Sequence, residues 1–455
     1  MPYARSSAIG PQRSRGSVWR PPLDRHCAQR SVIMQAGAEK RRFDRTEKLF
    51  TLQPHRRLKT MERSHVLIAG GGIGGLTAAL ALNQRGFDVS LYEQAPELHE
   101  LGAGVTITPN GSRVLCALGL RPAIETIVSV LPGREMRLFN TGQTWRLPTA
   151  DVEARFGSPF WPVHRGDLHQ ALAAALEQRA PGTIHIGSRC SDFEQNENGV
   201  TLLLESGETI RGDALIGADG VHSRIRRVLF GEGRAAFTGF MAWRAVVPME
   251  RLPARLRQQD FVGWLGPRGQ IVTYPMRRGS LFNLAATVER DDWRVESWSE
   301  AGTVQECRED FANWHDDVLE VIDCLDVPYK WALIGRPPLE HCSIGRVTLL
   351  GDACHPTLPI LGQGANMTME DSMILARCLE ASTDVAEALT RYENARLDRT
   401  SRIVRSSFDR AQRMRNLELA SPDQATAFMD RQFASSGPGD QYDWIHEYDA
   451  LSAPF

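Results

Sequence analysis

The stretch AGGGIGGLTAAL, Ala69 to Leu80, decides how the chain is read. It follows the apolar run His65-Val66-Leu67-Ile68 and leads into an Ala/Leu-rich segment ending near Asn83, the order of a strand, a tight turn and a helix. Gly70, Gly72 and Gly75 fall where a dinucleotide pyrophosphate would lie. Glycine permits the tight turn, lets backbone N–H groups approach phosphate and allows helix and strand to pack closely, while the helix N-terminus favours negative charge. A second strand, Val89 to Tyr92, ends in Glu93, about 20 residues past the glycines, where an acid would accept hydrogen bonds from ribose hydroxyls. An acid there suits the unphosphorylated adenosine ribose of FAD or NAD. The alternative is a glycine-rich turn with no ligand, and strand, helix and acid in register argue against it.

The chain has 455 residues, enough for two or three domains, and an ordinary balance of 42% hydrophobic and 24% charged residues. Its formal net charge of -2 gives no drive toward nucleic acid or an anionic membrane. No apolar run approaches the roughly 20 residues that span a bilayer. Neither nucleic acid nor membrane is expected as a partner. The eight cysteines are scattered without a CxxC pair, so no metal site and no disulfide framework is expected, and a reducing cytoplasm is the simplest setting. Residues 1–60 are rich in Arg, Ser, Pro and Gln and lack apolar periodicity. They read as a disordered extension or a mis-assigned start ahead of Met61; Asp24, Glu39, Asp44 and Glu47 argue against a transit peptide.

Beyond the first unit, residues 61–236 alternate in the manner of a nucleotide-binding domain. Helices are expected over Gly111–Leu120 and Leu168–Gln178, and strands at Thr183–Ile186, Val200–Leu204 and Ala214–Ile216. Residues 237–339 change to alternating strands: Met241–Pro248, Phe261–Leu265, Gln270–Tyr274 and Leu281–Val288. Their aromatic and β-branched content predicts a mostly antiparallel sheet with one buried and one solvated face, suited to binding substrate. Residues 340–384 return to the first pattern with a buried strand at Arg346–Leu350 and a helix over Met367–Glu380. Residues 385–455 give a polar-faced helix, Val385–Arg415, and a tail expected to be loosely ordered from Ala420 except around Tyr442–Tyr448. The fold class expected is α/β: a discontinuous Rossmann-like nucleotide-binding domain, a mostly antiparallel β-sheet substrate domain, and C-terminal helices.

Two further motifs join the first: Gly217-Ala218-Asp219-Gly220-Val221-His222-Ser223 and Gly351-Asp352-Ala353-Cys354-His355-Pro356. With Gly70-x-Gly72-x-x-Gly75 and Glu93 they stand in the order found in single-component, class A FAD-dependent aromatic monooxygenases, which the chain resembles from Met61 onward. Ala242-Trp243-Arg244, Glu296-Ser297-Trp298 and Gly362-Gln363-Gly364-Ala365-Asn366 are most similar to salicylate hydroxylase-like members, near the 3-hydroxybenzoate 6-hydroxylases and 6-hydroxynicotinate 3-monooxygenases. The resemblance implies FAD as cofactor and NADH or NADPH as donor. It implies that Asp352, after Gly351, accepts hydrogen bonds from the ribityl chain, and that Gly364, Ala365 and Asn366 present backbone N–H groups to the flavin ring. Arg113 and Arg165 match cofactor-holding arginines, and Cys190 a backbone contact at the adenine side. Asp219 and Gly220 form the loop between FAD and the donor, with Arg224, Arg226 or Arg227 either meeting phosphate or forming a solvated face. His222 and His355 read as structural hydrogen-bonders.

The reaction so implied is hydroxylation of a small hydroxylated aromatic acid, of the salicylate type, with O2 through a flavin C4a-hydroperoxide. The protein must keep water from that species. Pro356 and Pro359 suit this by stiffening the adjoining loop and removing N–H donors. The alternatives are 3-hydroxybenzoate 6-hydroxylase-type chemistry, or a non-arene flavoprotein of the same fold: an epoxidase, a reductase or an FAD-binding module. The sequence departs from its relatives at Thr106, Trp243 and Ile360, where some of them carry histidine, which counts against hydroxynicotinate and leaves the catalytic base unknown. Arg244 and Tyr274 are candidates to bind a carboxylate or phenolate, and Trp243, Trp264 and Tyr274 either line the substrate pocket or belong to the core. A monomer or a homodimer is expected.

Overall fold

The apolar run His65–Ala69 forms the middle of a six-stranded sheet, with Val66 to Ala69 wholly buried. It pairs in parallel with Ala214–Gly217 on one side and Asp88–Tyr92 on the other. Val347–Leu349 and Ile184–His185 extend the parallel array, and Ser343–Ile344 closes one edge antiparallel. In this computed structural model the described residues are 64–455, apart from 99–102, 148–151, 234, 258–259, 291, 293–299, 416 and 435–442. The expectations for residues 1–60 and for Glu296–Trp298 therefore lie outside the described residues.

Helix Ile73–Asn83 is built almost entirely of Ala, Leu and Gly because it is covered on several sides. Helices Arg165–Arg179 and Gly364–Ala381 both pack on it. A strand far along the chain, Val347–Leu349, thus completes a sheet begun at residue 65, as the discontinuous pattern implied.

The second sheet has seven strands in the order Tyr329–Gly335, Ala236–Pro248, Leu281–Glu289, Gly269–Met276, Phe261–Gly266, Arg134–Leu138, Thr144–Leu147. All pairings are antiparallel except that of Phe261–Gly266 with Arg134–Leu138. Two expectations are corrected here. Strands Arg134–Leu138 and Thr144–Leu147 come from the stretch assigned wholly to the first domain, so a boundary at 237 cuts through the sheet. Nor is one face solvated. Trp243, Trp264, Ile271 and Leu284 pack under Phe311, Trp314, Val318 and Ile322, while the residues between them in the pleat roof a cavity.

Helix Val385–Arg413 opens at Asp384, whose side chain caps it by accepting from Glu387 N–H at 2.8 Å. The expectation of a loose tail from Ala420 is also corrected: Pro422–Ala434 is a helix with Ala425 and Met429 fully buried against the second core. A short helix, Asp443–His446, follows. Among the described residues no helix is long and apolar enough to cross a membrane.

Candidate active site

The glycine turn is fixed by sterics. Gly70 has φ +109°, and a Cβ on Gly75 would lie 1.9 Å from the Gly70 carbonyl oxygen, so neither position accepts a side chain. Glu93 accepts from the N–H of Gly71 at 2.7 Å and of Ala95 at 2.8 Å, which ties the end of the second strand to the turn. His169, unremarked in the sequence, touches the Gly71 carbonyl through Nε2 at 2.7 Å. The Cys190 thiol is pushed up to about 12 by burial and by the charges of Asp219 and Glu93, so these three residues share one neighbourhood. Asp219 spends both oxygens on its own loop: Ser223 Oγ donates at 2.5 Å, Arg224 N–H at 2.6 Å and Ile225 N–H at 3.1 Å, fixing the start of helix Arg224–Phe230.

A cavity of about 400 Å³ runs from this turn to the second sheet. Gly72, Gly220, Gly351, Asp352, Gly364 and Ala365 border it on one side. Asp352 exposes its carboxylate to the cavity; the surrounding protein raises its pKa by desolvation, and the nearby Arg165 charge works against that rise. Gly364, Ala365 and Asn366 begin helix Gly364–Ala381, where first-turn N–H groups have no helical carbonyl to bind. The Asn366 side chain is fully buried: Oδ1 accepts from Thr108 N–H at 2.9 Å, and Nδ2 donates to Thr106 O at 3.0 Å and Gly362 O at 2.9 Å. It staples the strand Gly104–Ile107 and the following Thr108 to the helix start.

The sheet supplies the opposite wall with period-two residues: Arg134 and Met136, Phe261 and Gly263, Val272 and Tyr274, Ala285 and Thr287. Phe261 and Tyr274 stack at 5.4 Å with an interplanar angle of 5°, and Phe160 stands edge-on to Phe261. Burial raises the Tyr274 phenol, opposed by the Arg244 charge. Arg244 lies 4.4 Å over the Trp331 ring, and burial pulls its guanidinium down to about 10. Arg134 is lowered to about 10 by burial alone. Its guanidinium faces the rings of Phe160 at 5.0 Å and Phe261 at 5.3 Å, and its buried Nε has no hydrogen-bond partner.

Several expected site residues lie elsewhere. Arg113 borders no part of the cavity; its guanidinium donates to the carbonyls of Tyr448, at 2.6 Å, and Phe156, so it fastens the C-terminal segment. Trp264 faces the far side of the sheet because it is one residue out of phase with Phe261 and Gly263. Trp243 borders the cavity, but its indole N–H is committed to Asp310 Oδ2 at 2.7 Å. Pro359 borders the cavity and Pro356 does not. Arg226 donates to Ala353 O at 3.0 Å and Val221 O at 2.7 Å, and Arg224 to Ser191 O at 2.6 Å, so both are engaged by protein carbonyls. His222 is exposed, whereas His355 is buried with Nε2 2.6 Å from Asp371 Oδ2.

Residues the sequence did not flag complete the cavity: Arg134, Phe160, and Ile445 and His446 from the short C-terminal helix. That segment is held by arginines. Arg399 donates to Trp444 O at 3.1 Å and Ile445 O at 2.9 Å, Arg377 to Ala450 O at 2.9 Å and Ala453 O at 2.8 Å, and Arg155 pairs with Asp443.

Known proteins are similar to the chain in sequence and in fold. The chain is 35% identical over 393 residues to 3-amino-4-hydroxybenzoate 2-monooxygenase PtnB3 of Streptomyces platensis, covering 85% of this chain and 97% of that protein. It is 37% identical over 348 residues to 3-hydroxybenzoate 6-hydroxylase of Polaromonas naphthalenivorans, covering 75% of this chain and 86% of that protein. The structure of Klebsiella pneumoniae HpxO complexed with FAD and uric acid superposes with a TM-score of 0.73 at 27% identity, covering 86% of this chain and 97% of that one. Fold and relatives define an FAD-dependent aromatic-ring monooxygenase. The chain belongs to the FAD binding domain family, whose model it matches over residues 63–407. Its residues fit FAD: an unobstructed Gly72, where an added Cβ would meet nothing within 4 Å, lies at one end and a carboxylate open to the cavity at the other.

Proposed function

We propose that the chain hydroxylates the ring of a hydroxylated aromatic acid, of the salicylate or aminohydroxybenzoate type, with O2 and with NADH or NADPH as electron donor. The observation that carries this reading is Arg134, a half-buried cation on the cavity wall with aromatic faces around it, a buried Nε and no hydrogen bond to any described residue. A desolvated guanidinium of this kind gains most from a carboxylate entering with the substrate, because the paired charges then offset each other's desolvation. Phe160, Phe261 and Tyr274 give the ring its flat surfaces, and Arg244 and Tyr274 are placed to meet a further oxygen.

Gly70, Gly72 and Gly75 with Glu93 hold the adenosine end of FAD, near Cys190, and Asp219 and Gly220 shape the adjoining loop. Gly351, Asp352 and Arg165 meet the ribityl chain, and Gly364, Ala365 and Asn366 offer N–H groups at the flavin ring. Bound there, FAD supplies hydride acceptance and oxygen activation. The chain's own residues bind and orient the ring and keep water out, with Pro359 contributing a wall that lacks an N–H. The reaction belongs in the cytoplasm, where the reduced nicotinamide is found.

The test is NAD(P)H oxidation by purified holoprotein across salicylate, 3-hydroxybenzoate and 3-amino-4-hydroxybenzoate, with H2O2 and products quantified. Stimulated oxidation with a ring-hydroxylated product, or catechol with CO2 from salicylate, is expected. Oxidation indifferent to every aromatic acid would sink the reading and favour an epoxidase, a reductase or a non-catalytic flavoprotein.

A further inference from the structure

The titratable groups lining the cavity are Arg134, Arg165, Arg244, Arg410, Asp352, Tyr274 and His446. Arginines donate and do not accept, Tyr274 is held protonated by burial, and Asp352 lies on the cofactor side. His446 is the only histidine among the described lining residues, and no described residue bonds to either of its ring nitrogens. Its ring stands edge-on to Phe156 at 5.4 Å and 81°. The Arg399 bonds to Trp444 O and Ile445 O and the Arg155–Asp443 pair fix the backbone that carries it.

We propose that His446 is the catalytic group that takes the proton from the ring hydroxyl of the substrate. This inference rests on the aromatic-acid reading above. The substrate O–H bond breaks, its electron pair stays on oxygen, and the proton forms an N–H bond on the imidazole, leaving a phenolate beside an imidazolium. The phenolate enriches the ring carbons ortho and para to it, which is what an electrophilic oxygen needs. Burial first, then the charges of Arg134, Arg155 and Arg399, lower His446 to about 4, and Asp443, paired with Arg155, is the nearest acid on its own helix. The free enzyme therefore presents a neutral ring. A substrate carboxylate settling on Arg134 cancels one of those charges and makes the imidazole more basic when the hydroxyl arrives. Proton acceptance is thus tied to occupancy of the anion site.

The experiment compares wild-type, His446→Gln and His446→Ala holoproteins with an aromatic acid that yields product in the wild type. It also uses 4-hydroxy-3-nitrobenzoate as a probe whose phenolate is coloured. Product formation at neutral pH should fall about 100-fold in His446→Gln. Bound probe should ionise at lower pH in the wild type than in His446→Gln, and free imidazole should restore product formation in His446→Ala. Wild-type rates with an unchanged pH profile in His446→Gln, or equal probe ionisation in both proteins, overturn the assignment. Should the variants lose flavin, the wild type decides: the assignment requires bound probe to ionise at a lower pH than free probe, and equal values overturn it. Product from the wild type with indifference to His446 removes this inference alone, whereas no product from any acid removes the substrate reading beneath it.

Discussion

Arg134 and Arg113 show what a single side chain can and cannot announce. Arg113 stands on helix Pro109–Ala117, whose Val114 and Leu115 belong to the core of the cofactor domain, but its fork is filled by the carbonyls of Tyr448 and Phe156. Arg134 opens the strand Arg134–Leu138, and its charge reads as solvated until that strand pairs with Phe261–Gly266, more than a hundred residues later. Replacing Arg134 by Gln should weaken aromatic-acid binding about 10- to 100-fold, the span of a lost charge-assisted hydrogen bond of roughly 1.5–3 kcal/mol. Binding of the corresponding phenol without a carboxylate should hold. Titrations following the flavin spectrum check this, and equal weakening of both ligands would falsify the anchoring role. The glycines and Asp352 were legible because backbone conformation and strand-end position are local properties. The faces of Trp264 and Arg134 were not, because register between distant strands sets them.

At the scale of elements, helices Gly364–Ala381 and Val385–Arg413 are joined by a buried charge network. Arg396 donates to Asp371 Oδ1 at 2.7 Å and Glu370 Oε2 at 2.7 Å, Arg399 donates to Glu370 at 2.8 Å, and His355 meets Asp371. Asp371 also accepts from Gly351 N–H at 3.2 Å, so the network reaches the turn that carries Asp352. Arg396→Met leaves two buried carboxylates partly uncompensated and should cost about 3–5 kcal/mol, read as a fall in Tm. Burial would push Asp371 up, but His355 and Arg396 hold its carboxyl down to about 2. A carboxyl lowered by folding contributes stability above its unfolded pKa of about 3.9, and loses it as pH falls toward the folded value. The gap in Tm between wild type and Arg396→Met should therefore close over that acid window, and a gap that stays constant there would contradict the ionic account. Both helices were visible in sequence, the first as the continuation of a buried strand and the second as a polar-faced segment. Their ion pairs were not, since charged residues on a helix ordinarily face water.

For the molecule as a whole, the sequence displayed the discontinuous first domain, because three motifs tied to one cofactor must converge. It hid the role of the C-terminal segment, which is held through its own carbonyls, through Asp443 and through the rings of Trp444 and Tyr448 by arginines scattered along the earlier chain, a convergence that no local pattern displays. Removing residues 443–455 should leave FAD bound, since the cradle is built from residues before 370, yet lower product per NAD(P)H and raise H2O2. Stoichiometry of the three by oxygen uptake and product assay measures this, and wild-type coupling after truncation would show that the segment does not wall the chamber. The order of walls along the chain also has a temporal side. During synthesis every part of the flavin cradle emerges before residue 443, whereas Ile445 and His446 follow. A polypeptide interrupted in that interval is expected to bind the redox group while its reaction vessel stands open, the state that the 443–455 truncation is designed to reproduce.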